Sequence, residues 1–230
     1  MKFRSQVYTA VSGSIGGVTY SHNRGGMYTR GRATPTNPNS AAQQAARNAF
    51  GSLATAWSGI LTQAQRDGWT LYATNTPLTD AFGEPLTLTG QQMYNRCNTP
   101  RLRSGEARVD AFPVTFGQAN LTQAMPTWST PTLSVYYDNT DAWANAVGGF
   151  LIIQTSPIVG PAINFHKAPF RWLTNEDGAV VPPTAPKTTA VDAFGNTLSA
   201  FIGNRTYVKI RASDADGRLS PTQTFMIDLV

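Results

Sequence analysis

Three arginines, Arg24, Arg30 and Arg32, lie among the rings of Tyr20, His22 and Tyr28 in a stretch, Gly13 to Asn39, that holds six glycines, two prolines and no acid. Arginine makes planar, bidentate contacts with carboxylate or phosphate and stacks on rings. Two chemistries fit this set. The arginines can pair with acids of a neighbouring subunit while the backbone adds a strand to its sheet. Alternatively they hold nucleic acid through phosphates, with the rings stacked on bases. Only six Lys/Arg occur up to Arg47, few for a polybasic nucleic-acid segment, so protein contact is favoured. A solvated basic tail is the bland alternative.

Other constellations carry less. Ser12 to Gly17 is glycine-rich, but a phosphate loop needs a Lys and a helix directly after it, and Val18-Thr19-Tyr20 follows instead. The segment reads as a turn that lets backbone approach a neighbour closely. His22, His166 and the single cysteine, Cys97, give no zinc-ligand spacing. Asp214-x-Asp216-Gly217 has the opening of a calcium loop, yet position 218 is Arg and no Glu follows. A turn between two strands is expected there, and likewise at Asp177-Gly178. Carboxylates are scattered and no Ser/His/Asp set can be assembled. The expectation is a protein that is not an enzyme, with no catalytic, cofactor or metal residues, whose partner-binding set is Arg24, Arg30, Arg32, Tyr20, Tyr28 and His22.

Composition agrees with a protein of contacts. Charged residues make up 13% of the 230, about half the usual ~25%. Residues 1–110 hold eleven Lys/Arg against five Asp/Glu, a balance of +6, and residues 111–230 hold seven against eight, a balance of −1. The first acid is Asp67, so the N-terminal segment is purely cationic and suits acidic partners. One cysteine excludes an intrachain disulfide scaffold. Met1-Lys2-Phe3-Arg4 has no apolar stretch behind it, so no secretory signal is expected, and no run approaches the ~18 apolar residues of a membrane span. The chain is expected to be made in the cytoplasm and to stay soluble until assembled.

The elements that must position the basic set are short. Residues 3–11 (Phe3, Val7 and Val11, with Tyr8 between), Val18-Thr19-Tyr20 and Met27-Tyr28-Thr29 read as strand pieces separated by glycine turns, and none is stable as an isolated hairpin. Pro35 and Pro38 enforce extended chain before a helix. Ser40-x-x-Gln43, Thr62-x-x-Gln65 and Thr89-x-x-Gln92 are three capping boxes. Ala46, Phe50, Leu53, Trp57 and Ile60 make one apolar helical face, and Trp69, Tyr72 and Ala73 another. The third helix is expected to carry Met93, Tyr94 and Cys97 and to stop before Pro100. Pro77 to Leu88 reads as a loop or hairpin. Segments 112–116, 132–137, 149–154, 169–173, 206–212 and 222–229 are strand-like, with a long exposed loop at Pro182-Pro183 and Pro186. The expected fold is α+β: an extended basic arm over 1–39, a helical unit over 40–108, and an antiparallel β-sandwich over 109–230.

Tyr207-x-Lys209-x-Arg211-Ala212, Gly217 and Ser220-Pro221, before a final apolar strand, resemble the last hairpin of fibronectin type III and immunoglobulin-like modules, which implies an Ig-like fold for the sandwich. A second resemblance runs through Gly16-Gly17-x-x-Tyr20-Ser21-x-Asn23-Arg24-Gly25-Gly26, Arg30 to Asn39, then Arg47, Phe50, Leu53 and Trp57. It continues through Leu61-Thr62-x-x-Gln65-Arg66-x-x-Trp69-x-x-Tyr72-Ala73 to Leu88-Thr89-Gly90-Gln91-Gln92-Met93-Tyr94. This resembles uncharacterised virion proteins of tailed phages and prophage-like regions and, more loosely, a bacterial domain of unknown function with an N-terminal Gly/Arg segment. It implies a virion component assembled in the host cytoplasm.

The functional expectation is therefore a structural virion protein of a tailed phage, a head cement or decoration subunit anchored through its arm. Its partners would be capsid subunits and copies of itself. A neck or tail component is the alternative position. Two other classes stay open: a nucleic-acid-binding protein using the same arm, and an adhesion or carbohydrate-binding module stacking sugars on Trp128, Trp143 or Trp172. The last requires those tryptophans to be exposed, whereas burial is the usual fate of sandwich aromatics.

Overall fold

The structure, a computed structural model, describes residues 11–23, 26–34, 36–79, 84–122, 124–166, 169–178 and 187–230. The expected strand of Phe3, Val7 and Tyr8, the Gly25 turn residue and the loop at Pro182-Pro183 and Pro186 fall outside these. The chain divides into two compact units, residues 1–44 and 45–230. The class is α+β, with several open antiparallel sheets among the described residues.

In the first unit, strands β1 (Gly13–Ile15), β2 (Val18–Asn23) and β3 (Gly26–Gly31) form an antiparallel sheet in chain order. Gly16 and Gly17 join β1 to β2 with φ of 56° and 84°. A two-residue loop with both φ positive matches strand twist and favours glycine at both positions. A hydrogen bond from the Arg32 N–H to the Gly17 carbonyl (2.7 Å) extends the β2–β3 pairing past the turn. Helix α1 (Ala41–Thr55) follows, with the Gln43 N–H reaching Ser40 Oγ at 3.4 Å.

The second unit opens with a helical core. After α1 a π-helical turn (Ala56–Ile60) leads to α2 (Gln63–Asn75). A short hairpin, β4 (Leu78–Thr79) with β5 (Pro85–Leu86), precedes α3 (Gly90–Ser104). Both halves of the capping box are formed at Thr62/Gln65 and at Thr89/Gln92. Leu53, Trp69, Tyr72, Met93, Tyr94 and Cys97 are buried together. Trp69 meets Tyr72 and Tyr94 edge-on, at 5.9 and 5.4 Å between ring centroids, the geometry that aromatic quadrupoles prefer.

Two expectations are corrected here. Phe50 and Ile60 are each 58% exposed rather than packed. Phe50 lies on α1 ahead of the π turn and is left uncovered, while the π turn adds a residue to the helical repeat and carries Ile60 off the face on which Leu53 and Ala56 are buried. Helix α3 also runs through Pro100 to Ser104. The proline lacks the N–H that would bond the Arg96 carbonyl, and the helix instead ends on Gly105 in the left-handed region (φ 89°).

Beyond the helices two sheets bury their facing sides in one core. One contains β6 (Ala124–Ser129), β7 (Thr132–Tyr137) and β10 (Lys187–Thr189) in the order β10-β7-β6. The other contains β8 (Phe150–Thr155), β9 (Arg171–Asp177), β11 (Arg205–Ser213) and β12 (Gln223–Asp228) in the order β12-β11-β8-β9. Leu133 and Val135 from the first meet Leu151, Ile153, Val208 and Ile210 from the second. Short helix α4 (Ala142–Asn145) inserts Trp143, fully buried, into this core. Gly149 and Gly178 pass so close to it that an added Cβ would lie 2.2 and 2.0 Å from the Trp143 carbonyl oxygen.

Five of the six strand-like segments are strands in the structure. Residues 112–116 are not: Phe112 is drawn against the helical core, and its ring fills the place a Gly68 side chain would take. Strands β6 and β10 lie outside the six segments. β6 contains Pro126, which an edge strand tolerates, and β10 has only three residues.

Helices and sheets are tied by Arg101, 3% exposed. Its guanidinium donates to the carbonyls of Ala107 (2.8 Å), Gly148 (2.8 Å) and Asp214 (3.2 Å). Burial pushes its pKa down, with Glu106 opposing. Trp69 Nε1–H donates to the Asp110 carbonyl, and the Tyr72 hydroxyl to that of Gly117.

Candidate functional site

The basic set sits on the three-stranded sheet of the first unit, and register decides which of its members share a face. β2 pairs with β3 as Val18↔Gly31, Thr19↔Arg30, Tyr20↔Thr29, Ser21↔Tyr28 and His22↔Met27, and with β1 as Ser14↔Thr19 and Ile15↔Val18. Directly opposed residues lie on one side and neighbours along a strand alternate. One face therefore carries Ile15, Val18, Tyr20, His22, Met27 and Thr29. The other carries Ser14, Thr19, Ser21, Tyr28 and Arg30. The hydroxyls of Ser14 and Thr19, 2.8 Å apart, mark the second face.

The candidate residues are thus separated. Tyr20 and His22 belong to the more apolar face. Tyr28 and Arg30 lie together on the polar one. Arg32 follows the end of β3, and Arg24 lies outside the described residues. Among the described residues no ion pair involves Arg30 or Arg32. Sequence reading did not single out Ile15, Val18 or Met27. The signal was present: once Gly16-Gly17 is a two-residue turn, the alternation of the flanking residues follows.

No described residue before Leu53 is buried. Ile15 is 78% exposed, Phe50 58%. A three-stranded sheet gains stability by covering an apolar face, and none of the residues on this one is buried. The charge is concentrated in the same unit. Residues 1–44 hold five Lys/Arg and no acid, while residues 45–230 hold thirteen of each, so the whole formal charge of +5 belongs to the first unit.

Among the described residues no three His, Cys, Asp or Glu are grouped to hold a metal, and no helix is long and apolar enough to cross a membrane. Asp214 to Gly217 is a turn, closed by the Gly217 N–H on the Asp214 carbonyl (2.9 Å), with both aspartates paired to Arg218. Cys97 is fully buried, and burial pushes its thiol pKa up to about 12, so it is no nucleophile in the folded chain.

The tryptophans offer no open stacking platform. Trp143 is buried. Trp128 packs against the core and donates to the Val230 carbonyl, and the guanidinium of Arg103 covers Trp172 at 4.9 Å. Compared with known proteins, the chain matches no family model, and no curated protein matches it.

Proposed function

We propose that this chain is a structural virion protein of a tailed phage, a head cement or decoration subunit whose N-terminal arm anchors it on an acidic face of a neighbouring capsid subunit. One observation carries the reading: the unit that holds the chain's entire net charge contains a sheet whose apolar face, among the described residues, buries no side chain. Such a sheet gains its cover from a partner. Among the described residues β1 and β3 are the edges of this sheet, the positions where strand addition takes place, and Arg30 and Arg32 supply charge for carboxylates.

The two-sheet portion reads as an Ig-like module. Its first, second and fifth strands form one sheet, and its third, fourth, sixth and seventh the other. That partition corresponds to strands A, B and E against C, C′, F and G of fibronectin-type sandwiches, in support of the fold suggested by the Tyr207 hairpin. The fold alone carries no function.

The test uses particles of the phage that encodes the chain. Full-length protein should bind purified capsids stoichiometrically, and removal of residues 1–39, or Arg30→Glu with Arg32→Glu, should abolish binding. Absence of the chain from purified particles by mass spectrometry would overturn the reading; recovery on tails rather than heads moves it to the neck or tail. The pairing of Tyr28 with Arg30 on one face favours a second reading, nucleic-acid contact. It requires tight DNA binding, with a steep salt slope, that is lost on the same truncation.

A further inference from the structure

The outer face of the β12-β11-β8-β9 sheet carries two neighbouring concavities that share one ammonium, that of Lys209. The first, about 500 Å³, is lined by His166, Phe170, Tyr207, Thr224 and Met226. The second, about 250 Å³, lies between Trp172, Gln154, Arg211, Thr222 and Pro100 of α3. The first falls within the ~300–1,000 Å³ of small-ligand sites.

The chemistry of the lining is one-sided. Among the described residues neither concavity has an Asp or Glu in its wall. Lys209 Nζ sits 4.4 Å over the Phe170 ring. Arg211 spends its Nε–H on the Ser220 carbonyl (2.8 Å). Its remaining donors meet no carboxylate among the described residues, and Arg96 stands close enough to repel it. Beside these cations stand neutral hydrogen-bonding groups: the Gln154 amide and the Thr222 and Thr224 hydroxyls.

The rings do not form a slot for a flat base. His166 stacks on Tyr207 at 5.8 Å and 21°, Phe170 meets His166 edge-on at 5.4 Å, and Arg103 covers Trp172. They are a rigid wall, already committed to one another. A ligand for this surface needs negative charge for Lys209 and Arg211, hydroxyls for the amide and threonines, and a compact, non-planar body.

We infer that this surface binds an acidic saccharide, with the carboxylate of a sugar residue on Lys209 and Arg211 and its hydroxyls on Gln154, Thr222 and Thr224. The site is distinct from the arm and does not rest on the virion reading. Titration calorimetry of the full chain against an oligogalacturonate, a neutral malto-oligosaccharide and an oligothymidylate tests it.

The oligogalacturonate should bind, weakening as salt rises. Lys209→Ala should weaken it by about tenfold or more, the size of one charge-assisted hydrogen bond. Lys209→Arg should retain it and Arg30→Ala leave it unchanged. Lys209 is partly exposed, and circular dichroism checks that the variants fold. The inference fails if the oligogalacturonate does not bind, if the neutral sugar binds equally, if Arg30→Ala removes binding as Lys209→Ala does, or if the oligothymidylate binds more tightly, which identifies the face as a nucleic-acid surface.

Discussion

Asp214 shows what a single side chain contributes here beyond packing. It is 4% exposed; Oδ2 pairs with Arg218 at 2.9 Å, while Oδ1 is buried with no hydrogen-bond partner. Burial pushes its pKa up to about 6, against the pull of Arg218, with Asp216 and Asp141 adding to the rise. A carboxyl whose folded pKa exceeds its unfolded value of ~3.9 binds its proton more tightly in the native state. Its contribution is therefore most favourable below pH ~4 and is lost as pH rises through about 6. Asp214→Asn removes that dependence. The stability of the Asn variant relative to the native chain should rise by ~1–3 kcal/mol between pH 4 and 6.5, measured by urea unfolding at stepped pH; parallel profiles would refute the assignment. The aspartate's place in a turn was legible from Asp216-Gly217, but its burial was not, because it depends on Arg101 arriving from a helix far off in sequence. Phe50 is the converse case: its spacing fits an apolar face, and only the absence of cover leaves it exposed.

Among the elements, α2 and α3 were the most legible because each start is written locally. At Thr62 the side chain accepts from the Gln65 N–H at 3.3 Å while Gln65 Oε1 accepts from the Thr62 N–H at 2.8 Å. Thr62 is exposed, so Thr62→Ala should cost about 1 kcal/mol through the lost cap, and Thr62→Ser should restore most of it. Guanidinium denaturation of the three proteins measures this; an unchanged midpoint for the alanine variant would show that packing alone holds the helix. The element errors share a cause. The continuation of α3 past Pro100, the π turn and the loss of a strand at 112–116 are all decided by what the segment packs against. Strands β11 and β12 were readable through the alternation that a sheet with one covered face imposes, and β8 through a continuous apolar run, Phe150 to Ile153, buried on both faces. β6, with Pro126, hid on an edge where that rule relaxes.

At the scale of the molecule, burial among the described residues begins at Leu53. Residues 1–39 should therefore contribute little to stability, and their removal should change the unfolding free energy of the remainder by no more than about 1 kcal/mol. Differential scanning calorimetry of full-length and truncated chains decides it; loss of the cooperative transition would mean that the arm completes the fold. The α+β class and the caps at Thr62 and Thr89 were readable from sequence, but the pairing of residues 13–31 into a sheet with two distinct faces was not, since it depends on register. The electroneutral balance of residues 45–230 has a colloidal consequence. A body with thirteen charges of each sign has little net repulsion to keep copies apart near neutral pH, and low net charge promotes association. The arm supplies the missing repulsion while it is unbound. Were its arginines neutralised by an acidic partner, as the proposed function has it, that repulsion would be lost, and the same segment would set when copies can condense into a layer.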